Sequence, residues 1–351
     1  MAFPHPQYTK GEINRAGEII KCIDHYSAPD QDWAADVLAN FRACHGYPIN
    51  TFQATLRSKL NKLDREAIVA QRLKRTPSIR AKLQRFNNMQ LARMQDIGGL
   101  RAILNSVENV KLLVKSYQES RFKHNLTSAK DYILEPKADG YRSIHLIYRY
   151  QNDAAPKYNG LSLELQVRSR LQHAWATAVE TMGTFLGQAL KSGQGEIRWT
   201  EFFVKASAAL ACIEKSPQIP GFEEKSDIEI FSEVAEAEST LRVLEKLAGF
   251  AIAAENITTN RGQGAYHLIV LNSANRSVSI SPYSKALLQE ATAAYAKVEA
   301  RTRNGEPIEA VLVSAGPIEL LRRAYPNYFL DTHDFIREIQ SVIKHSQSLS
   351  I

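Results

Sequence analysis

Two carboxylates, Asp96 and Glu164, stand among cations and hydroxyls in a way that suits phosphate chemistry. Arg72, Lys74, Ser78 and Lys82 precede Asp96, and Arg101 follows it. Lys130, Tyr141, Ser143 and His145 come next, and Gln166 and Arg168 then alternate with apolar residues after Glu164. Two isolated acids in so basic a set suit magnesium carried with a polyphosphate, because magnesium takes few carboxylates and completes its shell with water and phosphate oxygens. Lysine, arginine and the start of a helix near Ser78 can neutralise phosphate charge. A guanidinium plane or a tyrosine ring can stack on a base, and Gly140 lets the backbone turn and present Tyr141. Each residue alone also has a plain structural use. Asp96 before Gly98 and Gly99 suits a turn, Glu164, Gln166 and Arg168 suit an exposed strand face, Tyr141 suits packing, and Arg72 and Lys74 suit a solvated helix end. The residue pattern by itself therefore reaches a binder of nucleotides or polyanions and stops there.

The elements that must position these residues are a mixed sheet with helices around it. Residues 12 to 70 read mostly as helix: "DWAADVLANFRACHG" puts Trp33, Val37, Leu38 and Phe41 on one face with Gly46 to end it, and a second helix is expected from about Thr51 to Leu73. In "RLKRTPSIRAKLQRF", Thr76 and Pro77 read as N-cap and first helical residue, with Ile79, Leu83 and Phe86 inward and Ser78 and Lys82 on another face. "GGLRAILNS", "RSIHLIYRY" and "LSLELQVRS" read as strands. The last alternates most cleanly, with Leu161, Leu163, Leu165 and Val167 on one side. A long helix is expected from about Ser169 to Leu190, another to about Cys212, then a linker in "EKSPQIPGFEEKSD" and one helix from about Asp227 to Ala254. The last third reads as strand (Tyr266–Asn272), strand (Ser277–Ser281), helix (Lys285–Arg301), strand (Ala310–Ser314) and terminal helices, a small α/β unit.

The 351 residues suit two domains, and 44% hydrophobic with 23% charged content is ordinary for a globular protein. The apolar run from Leu247 to Ala254 is too short for a bilayer, and "MAFPHPQYTKGEIN" lacks the form of a signal peptide, so a cytoplasmic protein with no membrane partner is expected. Three scattered cysteines, Cys22, Cys44 and Cys212, argue against a disulfide framework or a cysteine-rich metal site. The net charge of +7 attracts polyanions; cations dominate from Arg57 to Arg85 and acids from Glu223 to Glu245. Those blocks read as solvated helix faces or, more sharply, as an anion-binding part followed by an acidic regulatory part.

Four ordered segments, "RLKRTPSIRAKL", "DIGGLRAI", "DYILEPKADGYRSIHL" and "LELQVRSRLQHAWATAVE", resemble the synthetase domain of the RelA/SpoT family of alarmone pyrophosphokinases. The resemblance implies a nucleotidyltransferase-like mixed sheet flanked by helices and transfer of the β,γ-pyrophosphate of ATP to a ribose 3′-hydroxyl. Arg72 and Arg101 would sandwich the adenine, and Lys74, Ser78 and Lys82 would hold the triphosphate. Asp96 would bind Mg2+, and Glu164 would be a second metal ligand or the general base. Tyr141 would stack on the acceptor base, with His145, Gln166, Arg168 and Lys130 lining the same groove. Phosphoryl chemistry of this kind needs charge neutralisation and in-line placement more than covalent help. The family position of Gly98 more usually carries alanine. Neither the His-Asp hydrolase domain nor the ribosome-responsive domains of the long enzymes are expected.

The arrangement of the whole chain resembles CapRel-type fused toxic small alarmone synthetases. That resemblance implies an N-terminal helical part over 1–70, a pyrophosphokinase domain over 71–215, a linker and acidic helix over 216–260, and an α/β regulatory domain of pseudo-zinc-finger shape over 261–351. The last holds no cysteine, so a true zinc finger is excluded there. It further implies the 3′-CCA end of tRNA as acceptor, translation inhibition, autoinhibition by the YPNY motif (Tyr325 and Tyr328) at the ATP site, and release by a phage protein such as a capsid protein. Arg57, Lys59, Lys62 and Arg65 are candidates for holding the acceptor stem. A (p)ppGpp synthetase acting on GDP or GTP and an inactive nucleotide- or RNA-binding regulator are the alternatives.

Overall fold

In a computed structural model, residues 3–74, 76–120, 122–189, 196–259, 264–272, 274–275, 277–314 and 328–348 are described, and they form two compact units. The first comprises Met1–Ile133 and Arg142–Arg170; the second comprises Leu134–Tyr141 and Leu171–Ile351.

The first unit begins with three helices, α1 (Lys10–Lys21), α2 (Ala28–Cys44) and α3 (Gly46–Leu63). Thr9 and Glu12 form a capping box at the start of α1. Strand β1 (Ile68–Leu73), helix α4 (Thr76–Arg85), strand β2 (Gly98–Leu104), helix α5 (Val107–Gln118) and strands β3 (Asn125–Asp131), β4 (Ile144–Arg149) and β5 (Ser162–Ser169) follow. The strands form one sheet in the order β1-β2-β5-β4-β3. Only β2 and β5 run parallel; the other pairs are antiparallel. This is the expected mixed sheet. The period of two in β5 sends Leu163, Leu165 and Val167 to one face. They join Leu100, Leu104, Ile144 and Leu146 in a core closed by residues of α3 and α5, among them Phe52, Leu56 and Val110. A separate helical core joins Ile13, Ile19 and Ile20 of α1, Val37, Leu38 and Phe41 of α2, and Ile79 and Leu83 of α4.

Several local expectations change. The helix expected to reach Leu73 ends at Leu63, and 68–73 is strand β1. Asp64 ends the helix: its carboxylate accepts from the Asn105 backbone N–H at 2.8 Å and from Asn109 Nδ2 at 3.2 Å. Ile68 and Val69, β-branched, then pair with Ile103 and Ala102. Gly46 opens α3 instead of ending a helix in a loop. Phe86, expected inward, is 46% exposed because α4 stops at Arg85, whose guanidinium lies 5.4 Å from the Phe86 ring centroid.

The second unit contains α6 (Arg170–Ala189, from Leu171 on), α7 (Glu196–Ile213), α8 (Asp227–Leu241) and α9 (Val243–Thr259). Strands β6 (Tyr266–Asn272), β7 (Ser277–Tyr283) and β8 (Ile308–Ser314) form an antiparallel sheet in the order β7-β6-β8. Helices α10 (Leu288–Arg303) and α11 (Tyr328–Ser348) complete it. The small C-terminal sheet with helices agrees with the expected α/β unit. In the stretch 216–260, expected as a linker and acidic helix, Ile230, Phe231, Val234, Leu247 and Phe250 are buried with residues of α6, α7 and α11. The single helix expected over 227–254 breaks at Arg242, which takes a left-handed conformation with φ 54°. Glu238 caps the new start, accepting from the Val243 N–H at 2.9 Å and the Leu244 N–H at 3.1 Å. Among the described residues, no helix is long and apolar enough to cross a membrane.

Gly98 has a packing reason to lack a side chain. A Cβ there would lie 2.9 Å from His45 Cβ and 2.9 Å from Leu163 Cδ2. Gly98→Ala is therefore expected to destabilise the chain by about 1–3 kcal/mol through overpacking, read as a lower urea midpoint at constant slope. An unchanged midpoint would show that the His45 contact yields without cost.

Candidate functional site

Strand register carries the candidate residues onto one face of the first unit's sheet. Lys130 lies opposite His145, His145 opposite Gln166, and Gln166 opposite Arg101, so one row crosses β3, β4, β5 and β2. The next row holds Ser128, Ile147, Glu164, Gly99 and Arg72. Gly99 leaves the stretch between Glu164 and β1 without a side chain. Because side chains alternate across a strand, those carried by β2, β3, β4 and β5 in these rows take the face opposite the Leu163, Leu165 and Val167 core. Arg72 is in β1, but its side chain lies outside the described residues.

Asp96 precedes β2 and is gripped from two elements. Lys74, just past β1, places its ammonium 2.8 Å from Oδ2, and Lys82 of α4 places its own 2.9 Å from Oδ1. A backbone hydrogen bond from Lys74 N–H to Ile97 O at 2.7 Å ties the two segments together. Burial pushes the Asp96 carboxyl up, but the hydrogen bonds and charges of the two lysines outweigh it and hold the group below the ordinary aspartate range. Ser78 is exposed in the first turn of α4, one turn before Lys82.

Glu164 is gripped as closely. His145 Nδ1 lies 2.9 Å from Oε1, and Gln166 Nε2 donates to Oε2 at 2.9 Å. Burial raises the Glu164 carboxyl, His145 lowers it, the nearby Asp96 charge raises it, and the Gln166 hydrogen bond lowers it; the net shift is downward. That Asp96 acts on Glu164 electrostatically places both acids in one local field. Two carboxylates with the lysines and no thiolate suit a hard ion that also takes water and phosphate oxygens. Among the described residues, no group of three or more His, Cys, Asp or Glu could hold a metal.

The other candidates divide. Arg101 is half-buried on the site face, Lys130 is exposed on β3, and Arg168 is 2% exposed at the inner end of the Glu164 side of β5. Ser143 is fully buried and donates to Val167 O at 3.1 Å, so it fastens β4 to β5 instead of facing a groove. Tyr141 belongs to the second unit and packs half-buried against its core, with Lys137 Nζ 5.0 Å from the ring centroid. Gly140 beside it has φ +86°, and its carbonyl accepts from Ser207 Oγ at 2.6 Å. Arg57, Lys62 and Arg65 are exposed on and just beyond α3. Lys59 is committed, donating to Ser116 O at 2.8 Å with its ammonium 4.8 Å from the Tyr117 ring centroid. Tyr325 and the side chain of Tyr328 lie outside the described residues.

Sequence reasoning missed Tyr132. Its ring meets His145 edge-on at 5.3 Å, and its N–H donates to Ser143 O at 3.0 Å, so it orients the histidine that holds Glu164. A period-two pattern assigns faces within a strand and gave no cue to a ring just outside one.

Comparison with known proteins falls on this same stretch. GTP pyrophosphokinase YjbM of Bacillus subtilis (strain 168) is 33% identical over 88 residues, 25% of this chain and 41% of that protein. GTP pyrophosphokinase YwaC of the same organism is 31% identical over 87 residues, 24% of this chain and 40% of that protein. The chain thus spans about two-fifths of the length of these curated relatives. The crystal structure of small alarmone synthetase 1 from Bacillus subtilis bound to its product pppGpp is similar at 25% identity, with a TM-score of 0.40 covering 48% of this chain and 90% of that one. Residues 71–183, which contain Arg72, Lys74, Ser78, Lys82, Asp96, Arg101, Lys130, Tyr141, His145, Glu164, Gln166 and Arg168, match the family model for a region found in RelA / SpoT proteins.

Proposed function

We propose that the Asp96–Glu164 face transfers the β,γ-pyrophosphate of ATP to a ribose 3′-hydroxyl. The observation that carries this reading is the pair of neighbouring carboxylates, one held by two lysines and the other by a histidine and a glutamine. In the step, the 3′-oxygen attacks the β-phosphorus, the bond to the α,β-bridging oxygen breaks, and AMP leaves. Glu164, ionised at neutral pH by its depressed pKa, takes the hydroxyl proton. His145 and Gln166 keep its oxygens aimed. Lys74 and Lys82 neutralise the triphosphate, and Arg72 and Arg101, on adjacent strands, flank the donor base. Asp96 would hold Mg2+, which when bound would neutralise charge on the transferred phosphates.

For the acceptor we propose the 3′-CCA end of tRNA, with the C-terminal unit as a restraint that a phage protein relieves. Two features support this: the exposed cations Arg57, Lys62 and Arg65, and a second folded unit reaching well beyond residue 183. The second reading is a guanine nucleotide acceptor giving (p)ppGpp, favoured by the names of the relatives.

Glu164→Gln should lower transfer from labelled ATP by about 10²–10⁴-fold while ATP binding stays within a few-fold. Undiminished turnover would remove Glu164 as the base. In the natural chain, a group depressed in the folded state stays ionised down to its folded pKa. Its contribution to activity and stability is thus full above the unfolded value of about 4.3 and is lost only as pH falls through the lower folded value. An acid limb of kcat/KM attributable to Glu164 and lying above that value would contradict the assignment.

Arg57→Glu, Lys62→Glu and Arg65→Glu together should weaken labelling of tRNA at least tenfold and spare ATP binding. Labelling of GDP or GTP but not of tRNA would decide for the second reading. Tyr325→Ala with Tyr328→Ala should release the restraint and stop growth of expressing cells. Normal growth with intact, folded protein would show that these tyrosines impose none.

A further inference from the structure

A cleft of about 420 Å³ opens in the first unit, away from the residues assigned above. Its lining shares none of Lys74, Lys82, Asp96, Arg101, His145 or Glu164. Lys10, Arg93, Arg149 and Lys157 stand around it, all exposed, and no aspartate or glutamate lines it. Arg149 donates to the Gly160 carbonyl at 3.1 Å and Lys157 approaches His5 Nε2 at 3.4 Å, so neither contact is with a carboxylate. Four cations converging without a carboxylate form a local excess that attracts a small anion.

The wall is different in kind. Ile13, Met94 and Leu161 give it an apolar part able to cover a flat ring. His45 also lines it, is 1% exposed, and has Nδ1 2.8 Å from Phe41 O. A carbonyl partner makes Nδ1 the donor, and burial lowers the histidine to about 4, so the ring is neutral and Nε2 keeps a lone pair. Nε2 is buried and has no hydrogen-bond partner, a condition that calls for a donor.

We infer that this cleft is an accessory binding site for a nucleotide, its phosphates at Arg93, Lys157, Lys10 and Arg149 and a hydroxyl or amino group donating to His45 Nε2. The site has the size and mixed apolar and polar lining of small-molecule pockets. It stands independently of the proposed pyrophosphate transfer, since none of its residues takes part in that step.

The test uses the full chain with Lys74→Ala and Lys82→Ala, which weaken the donor site, and calorimetric titration with the non-hydrolysable analogue AMP-CPP. Binding should persist, with amide exchange slowed at residues 40–45 and 90–94. Adding Arg93→Glu and Lys157→Glu, exposed positions that a folded chain tolerates, should weaken it at least tenfold while circular dichroism stays unchanged. Inorganic pyrophosphate should bind at least tenfold more weakly than AMP-CPP. Loss of all binding in the Lys74→Ala, Lys82→Ala chain, indifference to the Arg93 and Lys157 reversals, or equal affinity for pyrophosphate would each overturn the assignment. Because the donor-site variants are inactive by design, failure here is separate from failure of the transfer reading.

Discussion

The grip of two lysines on one aspartate is the interaction on which the candidate site depends. Asp96 and Glu164 repel one another, and burial makes both costlier to ionise. Lys74 and Lys82 resolve this for Asp96, one ammonium on each oxygen. Removing either would leave a half-buried charge with half its compensation, usually worse than never having had the pair. The lysines come from different segments, just past β1 and the second turn of α4, so the charge balance requires β1, α4 and the turn before β2 to be in place together. On the proposed reading, a triphosphate would offer these same ammonium groups a stronger anion than one carboxylate.

The sheet supplies the second constraint. Register, not proximity in sequence, sets Lys130, His145, Gln166 and Arg101 in one row, and Glu164, Gly99 and Arg72 in the next. The apolar face beneath fixes that register, because a slip of one residue would exchange Leu163, Leu165 and Val167 for Glu164, Gln166 and Arg168. Close packing at the start of β2 has a local cost in freedom: His45 occupies the space that a methyl group on Gly98 would need.

Much of this was legible in the residues. The alternation in 162–169 predicted β5 and its polar face, because it rests on a pattern local to a strand, and the ordered motifs named residues that the strand register gathers on that face. Features decided by partners far along the chain were not legible. The helix that ends at Leu63 is stopped by Asp64 bonding to Asn105 and Asn109, more than forty positions away. The break at Arg242 involves neither glycine nor proline, and the cap that stabilises it, Glu238, reads as one more surface acid until its burial raises it to about 7. Tyr141 suits packing or a groove from its loop sequence alone, and its contact with the second unit's core comes from residues far along the chain. Arg93, Arg149 and Lys157 are scattered through the chain and share a cleft only once the strands and turns are assembled.

The strand that carries Glu164 is last in the chain among the five of its sheet and lies in the middle, between β2 and β4. Until it inserts, β1 and β2 on one side and β3 and β4 on the other are separate fragments, and the parallel join to β2 closes a long loop. During synthesis the two acids therefore cannot meet before residue 169 has cleared the ribosome, and a chain cut short before β5 carries Asp96 and its lysines but no Glu164 beside them.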